Sequence, residues 1–121
     1  MYQEMPVSIK TKRRRRRKMK FLIWNLFDVA KAAEVAQAHD KVWASPPAGT
    51  KMLASYVSLS PFFPNQPPNT MVGFNISEAE SAEAMAAVTY PTMIAGGTVY
   101  SIPILELPMV GAADVEKKYK G

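Results

Sequence analysis

The spacing of apolar residues changes several times along the chain, and each change marks an element. Phe21–Phe27 is a short apolar run interrupted by Asn25, the length of a strand. From Asp28 the spacing becomes helical. Val29, Ala32, Val35, Ala36, Val42 and Trp43 fall on one side, with Lys31, Glu34 and Lys41 on the other, and Asp28 supplies an N-cap. Ser45-Pro46-Pro47-Ala48-Gly49 stops this helix and turns the chain. Thr50–Leu59, rich in Tyr, Val, Leu and Met, predicts a second strand. Ser60–Asn69 is a loop holding four prolines and the pair Phe62-Phe63, and Thr70–Ile76 predicts a third strand. Ser77-Glu78-Ala79-Glu80 reads as a capping box that opens a second helix. Ala79, Ala82, Met85 and Ala86 face its core side, and it ends before Pro91. Thr92–Gly97 is an irregular link and Thr98–Leu107 a fourth strand. The tail, Pro108–Gly121, has room for a short helix around Ala112–Tyr119.

The order β-α-β-β-α-β is the split βαβ arrangement of a ferredoxin-like α+β domain, here residues 19–107. Right-handed crossovers put both helices on one face of a four-stranded antiparallel sheet. The strands, however, are apolar on both sides. Leu22, Trp24 and Leu26 oppose Phe21, Ile23 and Phe27; Tyr100, Ile102 and Ile104 oppose Val99, Pro103 and Leu105. Met52 and Tyr56 oppose Leu53, Val57 and Leu59, and only Lys51 and Glu106 carry charge in the predicted strands. Two helices cover one face. The sequence therefore predicts a homodimer whose second copy covers the other. The alternative cover is the Phe62-Phe63 loop or the C-terminal tail.

Charge divides the chain. Residues 1–18 hold eight basic residues against Glu4, a net +7, whereas the rest holds seven basic and nine acidic, a net −2. The arm has no hydrophobic period, and five successive arginines repel one another, so residues 1–18 read as a disordered basic arm. Lys12, Arg13, Arg14, Arg15, Arg16, Arg17 and Lys18 define the alternative function, an RNA- or ribosome-associated protein holding a polyanion through residues 10–20. No aromatic residue is interleaved with that run, which argues against sequence-specific recognition. No apolar run is long enough to span a bilayer, so no membrane partner is expected. There are no cysteines, which removes disulfides and thiolate chemistry and fits a reducing, cytoplasmic setting.

His39 is the only histidine, and it continues the apolar side of the first helix, where it is either a general base or a histidine at the core edge. One histidine among scattered carboxylates predicts no metal site, and no cofactor-binding fingerprint is present. Trp24, Tyr56, Asn75, Tyr90 and Tyr100 are the candidates to line a pocket for a small organic ligand between sheet and helices. There a tyrosine or asparagine would orient a carbonyl or phenol. The competing reading is strand tyrosines with hydroxyls in water.

Three segments carry a resemblance: Met19-Lys20-Phe21-Leu22-Ile23-Trp24, Pro46-Pro47-Ala48-Gly49-Thr50-Lys51-Met52-Leu53 and Ile102-Pro103-Ile104-Leu105-Glu106. Over about residues 19–107 they resemble a family of small dimeric α/β-barrel proteins of uncharacterised function. That family is similar in fold to muconolactone isomerase and antibiotic-biosynthesis monooxygenases. The resemblance implies a dimer and, if there is catalysis, cofactor-free isomerase or oxygenase chemistry. It maps no catalytic residue, and the loop at 60–69 is longer and richer in proline than the family pattern. Because the likeness begins at Met19, that residue is expected to be the native start, with the arginine run a translated leader.

Overall fold

A computed structural model describes residues 18–120. Of the basic run, therefore, only Lys18 can be placed, and it is exposed; Lys12 and Arg13–Arg17 lie outside the described residues. Four strands, β1 (Met19–Asp28), β2 (Thr50–Val57), β3 (Thr70–Ala79) and β4 (Thr98–Ile104), form one antiparallel sheet in the order β2-β3-β1-β4. Helix α1 (Ala32–Ala44) follows β1 through a 3-10 turn, α2 (Ala82–Ile94) follows β3, and α3 (Ala112–Lys120) ends the chain. This is the ferredoxin-like α+β fold that the element order predicts.

Asp28 caps as expected, its Oδ1 accepting from the Ala30 N–H at 2.8 Å. The cap serves the 3-10 turn Val29–Lys31, which leads into α1. The core lies between the sheet and α1/α2. Phe21 and Ile23 of β1, Ala79 of β3, and Met85 and Val88 of α2 are buried together, with Val42, Trp43 and Val99 packed against them.

Among the boundaries that differ from the sequence reading, three have a definite physical cause. Helix α2 opens at Ser81, not Ser77: the Ser81 hydroxyl oxygen accepts from the Ala84 N–H at 3.1 Å. Ser77 is fully buried in β3 and donates to Asn75 Oδ1 at 2.6 Å. Strand pairing explains the shift. Ser77 pairs with Phe21 on one side and Met52 on the other, and Ala79 pairs with Met19 and Thr50. Two ladders held at once outweigh one local cap. Next, α2 runs through Pro91 to Ile94. The proline forfeits one helical hydrogen bond. The turn beyond it is held by buried Thr92 and by Ala95 N–H and Gly97 N–H donating to the carbonyls of Pro91 and Thr92. Finally, β4 stops at Ile104, because its partner Lys20 is almost the first residue of β1 and no strand lies beyond it.

The register divides the two faces. Phe21, Ile23, Asn25 and Phe27 point toward the helices with their partners Ser77, Asn75, Gly73 and Met71. Leu22, Trp24 and Leu26 point away with Ile76, Phe74 and Val72. The helix-free face is partly covered from within the chain. Phe62 and Phe63 pack on Trp24, with ring centroids 5.4 and 5.7 Å apart, and Phe62 also meets Phe74 at 5.4 Å. Gln66 fixes this loop: its Oε1 accepts from the Phe62 N–H at 2.6 Å, and its Nε2 donates to the Thr70 carbonyl and hydroxyl oxygens. The sequence reading gave this cover first to a second copy; one end of the face receives it from the loop instead. The rest stays open, with Tyr56, Tyr100 and Ile102 about half exposed.

Candidate functional site

The helix side of the sheet holds a cavity of about 230 Å³ under α1. Its roof is the inner side of that helix, Ala32, Val35, Ala36 and His39, at the i, i+3, i+4, i+7 positions that share one helical stripe. The floor comes from three strands: Ile23, Asn25 and Phe27 of β1, Gly73 and Asn75 of β3, Ser55 and Val57 of β2. The space exists because its walls are small. Ala32 and Ala36 sit above, and Gly73 leaves a gap opposite Asn25 in the register. A Cβ on Gly73 would meet only the Tyr56 carbonyl oxygen, at an ordinary 3.7 Å. Nothing but the cavity gains from the missing methyl.

The polar groups of the site are Asn25, Ser55, Asn75 and His39, and no Lys, Arg, Asp or Glu lines it. Asn25 Oδ1 is buried without a hydrogen-bond partner. A buried carbonyl left unpaired costs about 1–3 kcal/mol; this oxygen is the carboxamide atom nearest Gly97, a residue that does not line the cavity. Asn75 is buried, and its Oδ1 is taken by Ser77, which leaves the amide N–H groups as its donors. His39 stands between this cavity and a smaller one of about 30 Å³ that reaches Trp43, Val88 and Thr92. Its Nδ1 lies 3.7 Å from Asp40 Oδ1, on the solvent side. The arrangement offers an apolar slot with amide donors, a hydroxyl and an imidazole.

The residues that the sequence nominated are divided by the sheet. Asn75 and His39 line the cavity together. Tyr56 contributes to its wall, but its ring stacks on Phe74 at 5.1 Å, in the cluster on the helix-free face. Trp24 and Tyr100 are on that face too, stacked on each other at 4.2 Å, so they do not reach the cavity. Strand alternation is the reason: both have the parity of Leu22 and Ile102, opposite to Asn25 and Val99. Tyr90 lies exposed on α2, outside the cavity lining. Asn25, Ser55 and Gly73 were not nominated. The signal for Asn25 was available, since it is the one polar residue in the apolar run Phe21–Phe27 and has core-facing parity.

Among the described residues, no three His, Asp or Glu side chains converge on a metal position, and no helix is long and apolar enough to cross a membrane.

Fold and site together define a small ferredoxin-like α+β protein with a cavity between sheet and helices. No family model matches the chain, and no curated protein matches its sequence. Among solved structures, an uncharacterised protein from Thermotoga maritima is similar at 12% identity and a TM-score of 0.51, over 74% of this chain and 100% of that one. A designed protein with a ferredoxin fold is similar at 12% identity and a TM-score of 0.42, over 78% of this chain and 90% of that one. A DUF3240 family protein from Shewanella baltica is similar at 9% identity and a TM-score of 0.38, over 77% and 98%. At such identities the likeness speaks to fold alone.

Proposed function

We propose that this protein binds a small, uncharged organic molecule, with one or two oxygen-bearing groups, in the cavity under α1, and that it does so as a homodimer. The observation that carries the ligand reading is the apolar slot under α1 itself, on whose lining Ser55, Asn75 and His39 stand as polar groups beside Asn25, with no charged side chain. A slot without a charged side chain disfavours a charged ligand, which would lose its hydration with nothing to replace it. At about 230 Å³ the space falls below the range of about 300–1,000 Å³ usual for drug-sized ligands, so a single ring or a short chain is the right scale. A ligand carbonyl would accept from the Asn75 amide, whose own oxygen is taken by Ser77.

What supports the dimer is the open part of the helix-free face. It is apolar at Tyr56, Tyr100 and Ile102, and its charged end is balanced, with Lys20 and Lys51 beside Glu78 and Glu106. A neutral, self-complementary rim suits a second copy better than a strongly charged partner.

The test is a thermal-shift screen with monocyclic phenols, lactones and cyclic ketones, run beside sedimentation velocity. Stabilisation by such compounds, absent in Gly73→Val, supports the ligand reading. No stabilisation, or stabilisation that survives the blocking substitution, overturns it. A monomer at high concentration overturns the dimer.

A further inference from the structure

Four elements direct a polar residue to one point of the core. Asn25 on β1, Asn75 on β3, His39 on α1 and Thr92 on α2 all line the smaller chamber of about 30 Å³. Three of them break an apolar pattern. Asn25 interrupts Phe21, Ile23 and Phe27 on the core side of β1, and His39 follows Ala32, Val35 and Ala36 along α1. The buried residues of α2 are Met85, Val88 and Thr92, so a threonine stands where the stripe calls for a third apolar side chain.

Polar groups gathered in a core cost stability unless they are hydrogen-bonded. Part of their capacity is used inside the chain. Asn75 Oδ1 accepts from the Ser77 hydroxyl at 2.6 Å, and Asn25 Oδ1 is turned to Gly97. Thr89, the other hydroxyl in the lining, donates to the Ala86 carbonyl oxygen at 3.5 Å. The chamber is left with the amide N–H groups of Asn75 and the hydroxyl of Thr92, on residues 6% and 7% exposed.

The chamber and the main cavity share Ile23, Asn25, His39 and Asn75 in their walls. A ring in the main cavity therefore reaches the chamber only past these side chains, by way of an arm. A water-sized group needs about 10–15 Å³, so the chamber admits one or two such groups and no second ring.

We infer that the chamber is a hydroxyl subsite: the ligand carries an alcohol on a short arm from its ring, and this group passes His39 to seat between Asn75 and Thr92. The alcohol oxygen accepts from the Asn75 amide, and its O–H donates to the Thr92 hydroxyl oxygen. A carbonyl or an ether makes only the first of these bonds, because it has no hydrogen to give. This names the class of ligand for the cavity proposed above, a single ring with a hydroxyl on a short arm, and rests on that reading.

The test uses benzyl alcohol and ethylbenzene, which differ by a hydroxyl against a methyl at the end of the same arm. Each is titrated by calorimetry into the native chain and into Thr92→Val, which keeps the branched shape and removes the hydroxyl. Circular dichroism checks the fold of the variant. The inference expects Thr92→Val to weaken benzyl alcohol by about five-fold or more, and to leave ethylbenzene unweakened. It also expects, in the native chain, a nuclear Overhauser effect between the benzyl CH2 and the Thr92 methyl, a reading that needs no substitution. If Thr92→Val affects both compounds alike, or bound benzyl alcohol shows no such contact, the inference falls while the cavity reading stands. It falls alone, too, if monocyclic phenols bind and benzyl alcohol does not. If neither class binds the native chain, both fall.

Discussion

The carboxamide of Asn25 fills the space in which residue 97 would carry a side chain: an ideal Cβ on Gly97 would lie 2.2 Å from Asn25 Oδ1. Gly97 is therefore required by proximity, and its role is to let Asn25 stay pressed into the end of β4. Gly97→Ala is expected to cost about 1–3 kcal/mol, the usual penalty for overpacking. In Asn25→Ala the same glycine change should be nearly free, so a double-mutant cycle by urea unfolding should show a coupling above about 1 kcal/mol. Additive effects would mean that the two residues do not meet.

Asn75 is shared between the core and the cavity through Ser77. Ser77→Ala should leave a buried acceptor unpaired, at about 1–3 kcal/mol. Ser81→Ala should cost about 1 kcal/mol by loss of the α2 cap. The two are distinguished by ligand affinity, which should change with Ser77→Ala and not with Ser81→Ala. Equal effects on affinity would contradict the assignment of Ser81 as the cap alone.

Gln66 holds the loop that shields Trp24, through three hydrogen bonds. Gln66→Ala should lower stability by about 1–2 kcal/mol and shift tryptophan fluorescence to the red as Phe62 and Phe63 lift from the ring. An unchanged emission maximum would show that the aromatic packing alone fixes the loop.

Lys20 and Glu106 join the first strand to the residue pair after the fourth. Their hydrogen bond is the main cause that lowers the Glu106 carboxyl below its ordinary pKa and raises the Lys20 ammonium above its own. A lowered carboxylate pKa means stability present above the unfolded-chain value and lost as pH falls through the folded one. A raised lysine pKa means stability lost as pH rises through the folded value. The pair therefore acts across neutral pH and fades at both extremes. Being exposed, its contribution is small and weakened by salt. Carboxyl NMR titration of Lys20→Met should return Glu106 to the ordinary range; an unmoved titration would deny the pairing.

The split between what the sequence told and what it withheld follows from the physics of each signal. Period and punctuation are local, so the Asp28 cap, the Gly49 turn and the element order could be read directly. Ser77-Glu78-Ala79-Glu80 is also a good local cap signal, yet long-range pairing to Phe21 and Met52 claimed Ser77 for the sheet. Pro91 is a good local stop, overridden by the burial of Thr92. Of the nominated pocket residues, Trp24 and Tyr100 fall on the other face by parity, which was available: they share the side of Leu22 and Ile102, and Asn25 does not. What no local pattern carries is that Phe62 and Phe63 return to cover Trp24, since a proline-rich loop has no period.

The cavity reading is tested most directly by a two-dimensional amide NMR titration with a monocyclic phenol, on the native chain and on Gly73→Val. Valine at 73 fills the floor without meeting a neighbour at the Cβ, and a strand interior gains about 0.5–1 kcal/mol on losing a glycine. Saturable shifts confined to the side-chain amides of Asn25 and Asn75 and the backbone of Val35–His39, abolished in a Gly73→Val protein that unfolds no earlier, are the expected result. Shifts gathered instead at Trp24, Tyr56 and Tyr100 would place the ligand on the opposite side of the sheet and contradict it.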